Sequence, residues 1–197
     1  MSSSSRQSLA LHSGDALLVI DVQNDFLPGG SLAVPQGDQV IEPLNRWLSR
    51  FSRAALPVFA TRDWHPPDHR SFAARGGPWP AHCIAGSRGA QFASGLRLPA
   101  DTPLMEIGKG THPDADAYSG FEDTELQAHL QAAGVHRLFV GGLATDYCVL
   151  NTVLDARRLG YDVIVLQRAI RPVEVHPGDG ARALAAMSAA GARLCED

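Results

Sequence analysis

Apolar positions fall along this chain in two alternating rhythms. Short unbroken apolar runs read as buried strands at Ala16 to Ile20, Leu56 to Thr61, Arg137 to Val140 and Asp162 to Leu166. Pro103 to Ile107 is a weaker run, and a short sixth lies near Ala192 to Leu194. Between these runs the spacing turns helical. Asp38 to Arg53 carries Val40, Ile41, Leu44, Trp47, Leu48 and Phe51 at helical intervals. Thr124 to Ala133 sets Leu126 and Leu130 on one face, and Asp146 to Leu159 groups Val149, Val153 and Ala156. Asp179 to Ala190 is Ala-rich and stops before Gly191, a C-cap signal. Strands that alternate with helices predict βαβ units. The expected fold is a three-layer α/β/α domain with a largely parallel, roughly six-stranded sheet.

Two stretches interrupt the alternation, Gln23 to Gly37 and Asp63 to Asp101, both rich in Gly, Pro and His. Long irregular segments in a compact domain are often functional. Both begin where a predicted strand ends, and ligands of open parallel sheets bind beyond the carboxyl ends of strands. No internal repeat is present. Residues 1–14 are Ser-rich and polar and read as a flexible tail, which leaves 15–197 as one domain.

Composition removes several alternatives. At 197 residues, 45% of them hydrophobic, the chain can bury a core without staples. A net charge of −4 and no dense Lys/Arg run disfavour nucleic-acid or membrane-surface binding. No segment approaches the roughly 20 apolar residues that cross a bilayer. The polar start also lacks the apolar stretch of a signal peptide. Cys83, Cys148 and Cys195 are odd in number, widely spaced and form no CxxC pair. A reducing, cytoplasmic setting is the expectation.

The chemistry-bearing residues cluster after the strands. Gly141-Gly142-Leu143-Ala144-Thr145-Asp146-Tyr147-Cys148 links a strand to a helix. Cys148 then falls in or near the first helical turn, where the helix dipole favours thiolate. The plain alternative is a buried core cysteine. Asp21 ends the first strand and can act as a general base there, although lone strand-end Asp residues more often form turns. Lys109, between Gly108 and Gly110, can stabilise a thiolate and a carboxylate together, against the alternative of a solvent-facing loop lysine. All three follow predicted strands, so the fold brings them to one edge. Asp63-Trp64-His65-Pro66-Pro67-Asp68-His69, with His82 beyond it, offers a carboxylate and imidazoles suited to Zn²⁺, Fe²⁺ or Mn²⁺. Such a cluster can also be a surface feature. Cys83 and Cys195 read as structural. Phe26, Trp79 and Tyr118 are candidate walls for a flat aromatic substrate.

Taken together, Asp21-Val22-Gln23-Asn24-Asp25-Phe26, the Asp63 to His69 run, Trp79-Pro80-Ala81-His82-Cys83, Lys109-Gly110, Tyr118-Ser119-Gly120-Phe121 and Gly142 to Cys148 resemble the nicotinamidase/pyrazinamidase branch of the isochorismatase-like cysteine hydrolases. The matching stretches run from about Leu17 to Leu194. The resemblance implies a catalytic triad of Asp21, Lys109 and Cys148. It implies one divalent metal on Asp63, His65 and His82, with His69 as a variable fourth contact. It further implies a cis peptide at Leu143-Ala144 and an oxyanion hole from the Ala144 and Cys148 amides. The implied substrate is nicotinamide, and pyrazinamide with it, in pyridine-nucleotide salvage. Small enzymes of this type often self-associate, so a homo-oligomer is possible, and the sequence does not fix the oligomeric state. Two departures stand out. Leu27-Pro28-Gly29-Gly30 occupies a loop where relatives often carry a Cys, and Gln167-Arg168-Ala169-Ile170-Arg171 replaces a commonly acidic-Ala segment. Neither touches the triad. The competing readings are a sibling amidohydrolase for a non-aromatic amide or ureide, a non-catalytic ligand-binding member, and metal-dependent hydrolysis with Cys148 idle.

Overall fold

The computed structural model describes residues 9–99 and 104–196. Six strands form one sheet: β1 Asp15–Ile20, β2 Val58–Asp63, β3 Leu104–Lys109, β4 Arg137–Leu143, β5 Asp162–Arg171 and β6 Arg193–Cys195. Their order is β3-β2-β1-β4-β5-β6 and every pairing is parallel. Four α-helices connect them: α1 Ile41–Arg53, α2 Leu126–Ala132, α3 Leu150–Arg158 and α4 Asp179–Ala189.

The strand period of two explains the three layers. Leu17 and Val19 of β1 join Leu44, Trp47 and Phe51 of α1 in one core. Ala16, Leu18 and Ile20 face the other way, into a core with Leu130 of α2, Val153 of α3 and Met187 of α4. Every residue of β1 is buried, as a central strand covered on both faces must be. Trp47 and Phe51 pack on Phe139 of β4 at 5.2 and 5.3 Å between ring centroids.

Several boundaries differ from the sequence reading for identifiable reasons. Leu9 to Gly14, assigned to the tail, lies against the body: Leu9 is buried and its carbonyl accepts from Arg50 Nη2 at 2.5 Å. Residues 1–8 lie outside the described residues, as does Pro103 at the start of the weak third strand. β2 begins at Val58 and runs to Asp63, so the strand carries Asp63 itself. β5 continues to Arg171 because a bulge carries it on. Its pairing jumps from Val140 opposite Val165 to Gly142 opposite Ile170. The helix expected from Asp146 starts as a wide π turn, Thr145–Val149, before α3.

Gly142 is required where β1 and β4 meet. It has φ +133°, and a Cβ there would stand 2.0 Å from the Ile20 carbonyl oxygen. The close approach brings the ends of β1 and β4 together, and β1 leads on to β2 on its other side. This is a topological switch point, where parallel sheets open a crevice.

Candidate active site

Four strand ends converge on that crevice and deliver Asp21, Asp63, Lys109 and Cys148, all buried. Asp21 follows β1 with φ +47°, a left-handed conformation uncommon outside glycine. Its amide donates to the Thr61 carbonyl at 3.1 Å, and Thr61 Oγ1 donates to its Oδ1 at 2.6 Å. Lys109 ends β3 and reaches the centre. Its Nζ lies 2.5 Å from Asp63 Oδ1, 3.0 Å from Asp21 Oδ2, 3.1 Å from the Ala117 carbonyl and 3.4 Å from Cys148 Sγ. Asp21 Oδ2 lies 3.0 Å from the ammonium without a well-aligned hydrogen bond to it, and the carboxylate also faces the Cys148 thiol. A lone pair of the carboxylate is therefore left over on the side of the thiol.

Charge is arranged around one cation. Burial alone would discharge Lys109, but Asp21 and Asp63 beside it hold its pKa well above the usual value. Burial pushes Asp21 up, and Lys109 only partly offsets this. Burial also pushes the Cys148 thiol well up, with Lys109 opposing and the two carboxylates adding to the rise. These shifts favour a Cys148 thiol beside a carboxylate acceptor. Burial and the two carboxylates oppose the thiolate that the helix dipole favours.

Beside this cluster stand the potential metal ligands. One atom each from Asp63, His65 and His82 lies within 4.8 Å of the other two, and all three residues are buried. His65 Nδ1 faces the Gly110 carbonyl at 2.8 Å and His82 Nδ1 faces the Pro80 carbonyl at 2.8 Å. A carbonyl only accepts, so each Nδ1 carries a proton, and Nε2 is the nitrogen left on each ring to bind a cation. Both Nε2 atoms point at Asp63 Oδ2, at 3.5 and 4.0 Å. A carboxylate and two such imidazoles, held by carbonyls behind them, fit a divalent cation. Burial pushes the Asp63 carboxyl up, but the Lys109 ammonium beside it outweighs this and holds it far below its usual range.

His69 does not join this set. Its Nδ1 is engaged by Ser71 Oγ at 2.7 Å and its Nε2 by the Ala115 carbonyl at 2.9 Å. With both nitrogens taken, it instead stacks on His65 at 4.1 Å. Cys83 is buried with its thiol pushed far up by burial, and its amide donates to Asp25 at 2.7 Å, which accords with a structural residue. Cys195 is buried in β6.

A small cavity opens onto Cys148, and Phe26, Trp79 and Tyr118 all line it, with Asp63, His82 and Ala144. Trp79 Nε1 donates to the Tyr118 hydroxyl at 3.0 Å, which fixes both rings. The Leu143–Ala144 peptide is cis, and the Ala144 carbonyl accepts from the Tyr147 and Val149 amides.

The structure adds residues that the sequence reading missed. Tyr147 packs edge-on against Trp79 at 5.0 Å and also lines the cavity, as do Val34 and Val173. Gln23 is fully buried and clamps Asp63. Its Oε1 accepts from the Asp63 amide, and its Nε2 donates to the Asp63 and Ala90 carbonyls, at 2.8, 2.8 and 2.9 Å. Its place two residues after Asp21, on the same strand-end run, was the only available signal.

Comparison with known proteins agrees with this geometry. The isochorismatase domain family matches residues 15–196. The nicotinamidase of Escherichia coli K12 is 42% identical over 91% of this chain and 93% of its own length. The crystal structure of the pyrazinamidase of Pyrococcus horikoshii in complex with zinc superposes with a TM-score of 0.87 at 43% identity, covering 93% of this chain and 99% of that one. That of PnC1 from L. infantum in complex with nicotinate gives 0.84 at 37%, covering 93% and 92%.

Proposed function

The chain belongs to the isochorismatase family, and on that premise we propose that it hydrolyses nicotinamide, and pyrazinamide alike, through a thioester on Cys148. The carrying observation is the meeting of Cys148 Sγ, Lys109 Nζ and the unfilled Asp21 Oδ2 at the wall of an aromatic-lined cavity.

Asp21 takes the thiol proton as Sγ bonds to the amide carbon. The carbonyl electron pair moves to oxygen, which the Ala144 and Cys148 amides hold. As the C–N bond breaks, Asp21 returns the proton to nitrogen and ammonia leaves. The thioester remains. Asp21 then removes a proton from water, whose oxygen bonds to the same carbon. The C–S bond breaks, nicotinate departs and the thiolate recovers its proton. Lys109 stays charged throughout and balances whichever neighbour is anionic.

Phe26, Trp79, Tyr118 and Tyr147 wall the ring and exclude water. Asp63, His65 and His82 would hold Zn²⁺, Fe²⁺ or Mn²⁺, which supplies an electropositive anchor for the pyridine nitrogen. The three thiols are free and buried, which suits a cytoplasmic enzyme of pyridine-nucleotide salvage. No described helix is long and apolar enough to cross a membrane.

The test is ammonia release from nicotinamide by wild type and Cys148→Ala, each loaded with one of the three metals. Turnover in wild type and its loss in the variant is the expected result. Silence from folded, loaded wild type would move the assignment to a sibling amidohydrolase.

A further inference from the structure

Three consecutive residues of the π turn face three different tasks. Cys148 meets Lys109, Tyr147 meets Trp79, and Asp146 reaches away from both. Asp146 Oδ1 accepts from the Val173 amide and Oδ2 from the Glu174 amide, each at 2.9 Å. Both oxygens thus hold the backbone of segment 172–178, which links β5 to α4. Val173 from that segment lines the cavity beside Cys148.

Among the described residues, the segment's remaining hydrogen bonds stay within itself or run to the first turn of α4. Glu174 carboxylate oxygens accept from the Gly178 and Gly180 amides, both at 2.8 Å, and the His176 amide donates to Asp179. Glu174 itself has φ +58°, a conformation that disfavours a side-chain-bearing residue unless its surroundings hold it there. Its amide is one of the two that Asp146 holds. Asp146 is therefore the polar tie between this segment and the nucleophile turn.

We infer that Asp146 is a positioning residue that fixes the Val173 wall of the substrate cavity, so that pocket shape and nucleophile are set by one turn. The inference rests on the amidase reading for its substrate but not for its geometry. A carboxylate can take two amide donors in this way. Alanine takes none, and asparagine offers one oxygen and presents its NH₂ to the other amide.

The experiment is a double-mutant cycle on the metal-loaded protein, with Asp146→Ala, Val173→Ala and the pair, read as kcat and KM for nicotinamide. Hydrogen exchange of peptides covering 172–178 is followed in parallel. Val173→Ala removes two methyl groups from the wall and is expected to raise KM about fivefold. Asp146→Ala is expected to raise KM by at least as much with kcat changed less, and to speed exchange in 172–178 but not in β1 or β4. The pair is expected to be no worse than Asp146→Ala alone, because the same wall is lost once. Asp146→Asn is expected to fall between wild type and Asp146→Ala, and it carries the test if the alanine variant does not fold. Additive effects on KM, or exchange in 172–178 unchanged by Asp146→Ala, would overturn the proposal and leave Asp146 a helix-end residue. If wild type ignores nicotinamide, the amidase reading fails and exchange alone decides the role of Asp146.

Discussion

Lys109 is the sole cation among the described residues of the buried cluster, and replacing it with methionine isolates its role. Methionine keeps the length and apolar stem but removes the charge. Asp21 and Asp63 would then sit buried with their shared partner gone, where Nζ now stands 3.0 and 2.5 Å away. Opposite charges at about 3 Å attract by about 5 kcal/mol at an effective dielectric near 20. Measured losses on removing one member of a buried pair run at about 3–5 kcal/mol. For a chain of 197 residues that corresponds to a fall in Tm of about 6–20 °C. The pH dependence has a definite sign. Burial already holds Asp21 above the usual carboxylate value, and loss of Lys109 raises it further. A carboxyl raised in the folded state stabilises at low pH, and that contribution is lost as pH rises through its folded pKa. The deficit of Lys109→Met should therefore be largest near neutrality and shrink as the solution is made acidic. Urea unfolding of chelator-treated wild type and variant, at about pH 5 and about pH 8, reads this directly. Adding Asp21→Asn should recover part of the loss. A neutral-pH deficit below about 1 kcal/mol, or one that grows on acidification, would refute the charge arrangement.

Two further outcomes are expected. The acid limb of kcat/KM should lie above the ordinary carboxylate value of 3.8, because Asp21 must be ionised to take the thiol proton and burial raises it; a limb at or below that value would remove Asp21 as base. Gly110→Ala should weaken metal retention about tenfold or more, since a Cβ there would stand 2.4 Å from His65 Cε1 and Gly110 has φ +61°. Competition with a chromophoric chelator measures this without any assay of turnover, and unchanged retention would contradict the role of His65.

The parallel three-layer fold was legible because a central strand such as β1 is apolar at every position but its first, and α1 repeats at helical spacing. The strand-end positions of Asp21 and Lys109, and the turn carrying Cys148, followed from that pattern. What stayed hidden depends on contacts between distant segments. The bulge that extends β5 breaks the apolar run with Gln167 and Arg168. Tyr147 and Val173 enter the cavity only because a π turn replaces the first helical turn and segment 172–178 folds back onto it. The carbonyls of Gly110 and Pro80, which set the imidazole tautomers, are backbone groups with no side-chain signature. His69, named only as a variable fourth contact, shows the converse. Its spacing in the His-rich run fits a ligand, but Ser71 and Ala115 occupy both its nitrogens.

The most direct test of the thioester is the mass of the protein trapped during turnover. Wild type loaded with metal is mixed with excess nicotinamide, quenched in acid and weighed intact, then digested to locate the added group. The account predicts a nicotinoyl adduct on the peptide that carries Cys148, absent in Cys148→Ala, which also releases no ammonia. Ammonia release by Cys148→Ala at the wild-type rate would contradict it.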